Sequence, residues 1–280
     1  MTVLRTNAEG LIPVELSQEV IQGVVKGSQI MSLSRIEPMT TSKKTISVLE
    51  GVQAFYVNEN EPIGNSDANF RQVTLETKKL AVIVPVSNEL LNESVADVFA
   101  EIQTQAVEQF YRKFDTEAVT KLLAKINTSG KKIAEGATAG QELYQDISDV
   151  MALIEANGYD ANGFLTHFNM KNRIRKMKDN NGNSLYVPSV TQGVADTFYG
   201  QPIGYSFGVD KATTELITGD FKYSIVGIKG DIQYKVLSEA TVGGVNLATN
   251  DLVAIRLILP VAYEIAKDDA FAALTPKVTA

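Results

Sequence analysis

The chain has 280 residues, 44% hydrophobic and 21% charged, the composition of a folded protein with room for one large or two ordinary domains. Its 26 basic and 33 acidic residues leave a net charge of −7, which disfavours general binding to polyanions unless the cations gather on one face. The absence of cysteine excludes disulfides and thiolate metal sites and is compatible with a reducing compartment, and a single histidine, His167, removes most imidazole-based metal centres.

The N-terminal stretch MTVLRTNAEGLIPVELS lacks a basic region followed by a continuous apolar run, so it does not read as a secretory signal. Its first sixteen residues read as an extended arm that gains order by lying on something else. After Ser17, the residues Val20, Ile21, Val24 and Val25 predict a short helix that stops at Gly27. From Thr45 to Val86 the pattern changes to strands. KTISVLEGVQAFYV and FRQVTLETKKLAVIVPV are β-rich and flank NENEPIGNSDAN, a polar block with turn chemistry. This predicts a long hairpin with a polar tip. Such a ribbon is marginal alone and needs another part of the structure, or another subunit, to pack against.

Ser94-Val95-Ala96-Asp97 resembles a capping box, and Val95, Val98, Phe99, Ile102, Ala106, Phe110 and Phe114 follow at steps of three and four. They predict one face of a helix reaching about Leu123, roughly 45 Å long. Glu101, Gln105, Glu108 and Arg112 fall on its opposite face. The small-residue stretch NTSGKKIAEGATAGQ then marks a domain boundary. Beyond it, Leu143, Ile147, Val150, Met151 and Ile154 predict an amphipathic helix ending before Gly158. GFLTH predicts a short strand. NMKNRIRKMKD predicts a second helix with Met170, Ile174 and Met177 inward, broken by the DNNGN turn. Strands are predicted at QPIGYSFG, TELITGDF, YSIVGI, IQYKVLS and DLVAIRLILPVAYEIA. The longest apolar runs, Leu80–Val86 and Leu252–Val261, are interrupted by Pro85, Arg256 or Pro260, and none approaches the roughly 20 residues of a membrane span.

Few motifs suggest chemistry. Residues 204–208, GYSFG, fit the G-x-S-x-G pattern of a nucleophile elbow centred on Ser206. That geometry needs a helix after the serine and a histidine arriving later in the chain. Here VDKATTEL follows without an apolar period, and His167 lies upstream. The reading is a serine in a glycine-punctuated strand, and His167 reads as a structural or capping residue ahead of a helix. SGKK lacks the rest of a phosphate-binding loop, and DNNGNS lacks the closing glutamate of a calcium loop. Lys171, Arg173, Arg175, Lys176 and Lys178 form the one basic cluster, read as a solvated or subunit-contact face.

In order and spacing these pieces resemble the major capsid proteins of tailed bacteriophages, the Hong Kong 97 type. LIPVELSQEVIQGVVKGSQIMSLSRIEPM resembles that family's N-terminal arm and first helix, and AFYVNENEPIGNSDANFRQVTL its extended E-loop. KKLAVIVPVSNELLNES resembles the entry to the spine helix, and FNMKNRIRKMKDNNGNSLY and FYGQPIGYS the axial domain. GDFKYSIVGI and DLVAIRLILPVAYEIAKDDAFAALT resemble the closing strands of the peripheral domain.

The resemblance implies an α+β Hong Kong 97-like capsid fold, divided as arm and first helix 1–44, E-loop hairpin 45–86, and peripheral domain with spine helix 87–130. The axial domain is then 131–218 and the returning peripheral strands and C-terminus 219–280. It implies a shell subunit, not an enzyme, that self-assembles into hexamers and pentamers around packaged double-stranded DNA without sequence-specific binding. No cofactor and no membrane are implied, and a portal and a separate scaffolding protein are expected partners. Assembly is expected in the bacterial host cytoplasm, with the product found in the virion capsid.

Inter-subunit contacts are expected at the E-loop tip from Val57, Asn58, Glu59, Asn60, Glu61, Asn65, Asp67, Phe70 and Arg71. On the axial helix they are expected from Lys171, Arg173, Arg175 and Lys178. Some family members cross-link a tip lysine to a neighbour's asparagine. Residues 58–70 hold no lysine, so no covalent ladder is expected when shells are run on a denaturing gel. An encapsulin-type compartment shares the fold and differs in its cargo, protein in place of DNA. A serine hydrolase using Ser206 is the alternative from another class, and unchanged fluorophosphonate labelling after Ser206→Ala would remove it.

Overall fold

The computed structural model describes residues 22–50, 56–59, 61–62, 69–89, 98–138, 142–178, 197–230 and 232–277. The arm before residue 22, part of the ribbon tip, the start expected for the spine helix and the DNNGN turn lie outside them.

Residues 22–27 are helical, and α1 (Gln29–Leu33) follows directly, with Ser28 as its N-cap accepting from the Met31 N–H. The chain thus resumes a helix where the sequence reading stopped at Gly27. A Cβ at Gly27 would lie 2.3 Å from the Tyr111 ring, so this glycine serves close packing. Next come β1 (Arg35–Met39), β2 (Lys43–Glu50), β3 (Asn69–Glu76) and β4 (Lys78–Ser87). β2 and β3 form the expected antiparallel ribbon, in register from Lys43 opposite Glu76 to Glu50 opposite Asn69. The second hairpin strand, however, breaks at Thr77. β4 leaves the ribbon and pairs along ten residues with β14 (Leu252–Ile265), so the segment 45–86 is not one hairpin.

The spine helix α2 spans Val98–Ser129, six residues beyond the expected end. It is followed by β5 (Lys132–Ala134), α3 (Leu143–Glu155), β6 (Gly163–Thr166) and α4 (Phe168–Arg175). β7 (Thr197–Phe198), β8 (Gln201–Tyr205), β9 (Leu216–Gly219), β10 (Ser224–Lys229) and β11 (Gln233–Leu237) come next. A small hairpin of β12 (Thr241–Val242) and β13 (Val245–Asn246), then β14 and β15 (Phe271–Thr275), complete the chain. The small hairpin turns on Gly243 and Gly244, both at positive φ, the two-residue geometry that matches strand twist.

Two larger sheets result. In the first, β4 covers one edge of β14, while β11 and β10 lie end to end along the other and β1 runs parallel to β10. Pro260 does not interrupt β14. It falls between the segments paired with β11 (254–258) and β10 (261–265), where a residue without an N–H is tolerated.

The second sheet has six strands in the order β5-β15-β9-β6-β8-β7. Its central strands bury both faces, in strict alternation. Leu165, Ile217, Phe271 and Ala273 join the core with α2, whereas Phe164, Leu216, Ala272 and Leu274 join the core with α3 and α4. Sheet two is therefore sandwiched between the spine on one side and Ile147, Val150, Ile154, Met170 and Ile174 on the other. After β14 the chain leaves the first sheet, and β15 pairs with β9 and β5 in the second. The spine ties both sheets together, since Phe110, Phe114, Leu122 and Ile126 share one core with Val226, Leu257 and Leu259.

Candidate functional site

Three segments distant in sequence meet at Asp115, on the buried face of α2 beside Phe114. The Ser28 hydroxyl donates to Asp115 Oδ1 at 2.5 Å, the Gln29 N–H to Oδ2 at 3.2 Å, and the Ser206 hydroxyl to Oδ2 at 3.1 Å. Burial pushes this carboxyl above its ordinary value, opposed in part by hydrogen bonds from Ser28, Gln29, Ser206 and Ile30. One carboxylate thereby pins the start of α1 and the loop after β8 onto the spine.

This arrangement settles what GYSFG does. Ser206 is 4% exposed, its N–H donates to the Thr166 carbonyl, and its hydroxyl accepts from the Gly208 N–H while donating to Asp115. Turns, not a helix, follow it. The glycines serve close approach: a Cβ at Gly208 would lie 2.8 Å from the Thr116 backbone nitrogen, and one at Gly204 3.2 Å from the Gln29 Cβ. Ser206→Ala is expected to lower the unfolding free energy by about 1 to 2 kcal/mol, read as a shift in urea midpoint, because the bond to Asp115 and the acceptor for the Gly208 N–H are both lost while Asp115 keeps its other donors.

His167 is the N-cap of α4, with Nδ1 accepting from the Asn169 N–H at 3.1 Å, which is the capping role read from the sequence. Its ring stands edge-on to Phe168 and Phe207. Among the described residues no group of histidine and carboxylates is placed to hold a metal, and no helix is long and apolar enough to cross a membrane.

The expected assembly residues divide by environment. On α4, Lys171 places its ammonium 4.7 Å from the Tyr205 ring centre. Arg173 is engaged inside the chain, at 2.5 Å from Glu135 and 2.8 Å from Glu215. Burial disfavours its charge, but these two carboxylates outweigh it and raise its pKa. Arg173 thus braces α4 against the segments flanking β5 and β9. Arg175, on α4, and Lys178, just beyond it, are exposed. On the ribbon, Tyr56 is fully exposed at 108%, and Val57, Asn58, Glu59, Glu61 and Phe70 are exposed as well. Asn58 caps its own turn by donating to the Glu61 carboxylate. Arg71 reaches Asp268 of its own chain at 3.6 Å. Asn60, Asn65 and Asp67 lie outside the described residues.

Sequence reading missed two features. Asp115 was hidden among the apolar positions of the spine, although a lone carboxylate next to Phe114 on the inward face was a signal. The second is an exposed aromatic pair: Phe168 and Phe207 stack with centroids 4.4 Å apart.

The body has closed cores and carries a ribbon on which Tyr56 and Phe70 are left exposed by the other described residues, a form that suits a subunit completed by copies of itself. The comparisons agree. The chain matches the phage capsid family over residues 8–275. It is 31% identical to the major capsid protein of Staphylococcus phage 80alpha over 293 aligned positions, covering 98% of this chain and 87% of that one. A solved structure from Microbacterium phage Oxtober96 superposes with a TM-score of 0.75 at 27% identity, over 90% of this chain and 91% of that one. One from Mycobacterium phage Adephagia, at 21% identity, has the same fold over the full length of both chains, with a TM-score of 0.75. The chain belongs to the phage capsid family: it is a shell-forming major capsid protein with the Hong Kong 97 fold.

Proposed function

We propose that copies of this chain form the hexamers and pentamers of an icosahedral shell around the double-stranded DNA of a tailed phage, built in the host cytoplasm with a portal and a separate scaffolding protein. The family match across residues 8–275 carries the reading. Two features of the chain support it. The ribbon tip exposes apolar side chains that call for a neighbour. The net charge of −7 suits a container wall, since counterion-release binding of DNA to the wall would oppose its exit.

In this reading Ser206 performs no chemistry. Its hydroxyl serves the Asp115 junction, and the chain acts through surfaces. The test is sedimentation of the expressed protein followed by electron microscopy and nuclease treatment of the fast fraction. Closed shells with nuclease-protected DNA support the proposal. Shells holding a co-purifying enzyme without DNA would favour a compartment of the encapsulin type, and a chain that stays small in the presence of its scaffold would contradict both.

A further inference from the structure

We propose that the recess where the root of the ribbon meets the first sheet is a binding site for phosphate groups, an inference that stands on the fold and not on the shell reading above. The connection from β1 to β2, the break at Thr77, and the end of β10 with the start of β11 close around about 620 Å³, the size of a small-ligand site. The lining holds two lysines, Lys79 and Lys229, together with Ser42, Thr77 and Gln233, and it contains no carboxylate. Strand register places the lysines. Lys79 stands opposite Pro260 on one edge of β14, and Ile228, the residue before Lys229, stands opposite Val261 on the other. The two lysines therefore flank Pro260 on one face of the sheet, from strands about 10 Å apart.

Lys229 donates to the Ser42 hydroxyl at 2.8 Å, which holds its ammonium at the recess and leaves hydrogens on both groups for a further acceptor. The neighbouring carboxylates are committed elsewhere: Glu76 to Lys43 at 3.2 Å, Glu37 to Lys44 at 3.6 Å and Glu117 to Lys78 at 3.9 Å. Among the described residues no carboxylate lies within ion-pair distance of Lys79 or Lys229. Two like charges that face one opening repel each other, and an anion seated between them turns that repulsion into attraction. Ammonium, hydroxyl and amide donors that converge from several directions suit a tetrahedral oxyanion better than a planar carboxylate. Farther along the same face of β14, Arg256 keeps its Nε buried and without a hydrogen-bond partner. A ligand with successive phosphates would extend roughly 13 Å along the strand to reach it, whereas a free phosphate would occupy the recess alone.

Isothermal titration of the full-length chain before assembly, with sodium phosphate and separately with a short DNA duplex, tests the site against a sodium chloride blank. Lys79→Met with Lys229→Met is expected to weaken phosphate binding about tenfold, with a melting temperature in chloride at or above that of wild type. Arg175→Met with Lys178→Met removes the same charge from exposed positions at α4 and is expected to leave binding unchanged. Lys79 is exposed, so Lys79→Met alone carries the test if the double variant fails to fold. Duplex binding that competes with phosphate and weakens further in Arg256→Met identifies nucleic-acid phosphodiesters as the source, and its slope of log affinity against log salt then falls by about 2 in the double lysine variant. Phosphate binding without duplex binding identifies the free anion. Binding of neither ligand, binding that survives loss of both recess lysines, or an equal loss from the α4 pair overturns the inference.

Discussion

Gly208→Val is expected to destabilise the subunit by about 3 kcal/mol, the scale of severe overpacking in an interior. A side chain at this position meets backbone, not the flexible end of a neighbour: the added Cβ would lie 2.8 Å from the Thr116 nitrogen and 2.9 Å from the Asp115 carbonyl carbon. The spine cannot yield there without breaking helical hydrogen bonds, so the loop must lift. Lifting it removes the Ser206 bond to Asp115 and the Phe207 contact with Arg112 together. Gly204→Ala is the internal control. Its Cβ would meet the side chains of Gln29 and Leu165 at 3.2 to 3.3 Å, which can shift by tenths of an ångström, so the loss is expected to stay below about 1 kcal/mol. Urea midpoints of the unassembled subunit measure both. Equal midpoints for Gly208→Val and wild type would show that the loop does not rest on the spine.

Asp115→Ala is expected to cost about 2 to 3 kcal/mol, because the buried Ser28 and Ser206 hydroxyls and the Gln29 N–H lose a common acceptor. Asp115→Asn keeps an acceptor oxygen and is expected to cost less. It also exposes a pH dependence whose sign follows from burial. The folded carboxyl titrates above its ordinary value of 3.8, so the fold favours the protonated form. The stability of wild type relative to Asp115→Asn is therefore greatest below 3.8 and declines as pH rises through the raised folded value. Subtracting the asparagine variant removes the titration of all other carboxylates. Thermal melts of both proteins at a series of pH values measure the difference. A difference that grows with rising pH would mean that the hydrogen bonds outweigh burial, contrary to the present account.

What the sequence discloses follows the range of the interaction involved. α3 and α4 are legible because Ile147, Val150 and Ile154, or Met170 and Ile174, repeat at helical spacing and bury against one sheet. The spine is legible for the same reason, and the β2–β3 ribbon because two β-rich segments flank a block with turn chemistry. Strand β15 is less so. FAALT shows no alternation, because Phe271 and Ala273 face the spine while Ala272 and Leu274 face α3 and α4, and only the tertiary fold supplies both covers. The split of the hairpin at Thr77 was illegible locally, since β3 and β4 have similar strand character and differ only in partner.

The Asp115 junction joins residues 87 and 91 positions away, a separation that no local period reports. GYSFG misleads for a related reason: glycines that permit a loop to touch a helix backbone match the same pattern as glycines that shape a nucleophile elbow. For the assembly residues, charge alone did not separate Arg173, which binds Glu135 and Glu215 of its own chain, from the exposed Arg175.

The central claim is that the two-sheet body folds on its own chain while the β2–β3 ribbon is completed by a neighbour. A cryo-electron microscopy reconstruction of the assembled shell, at a resolution that traces side chains, tests it most directly. The account predicts a body matching this fold, with Asp115 bonded to Ser28 and Ser206 of the same chain and Tyr56 covered by an adjacent subunit. A ribbon folded back onto its own body, or a spine whose Asp115 partners come from another copy, would contradict it.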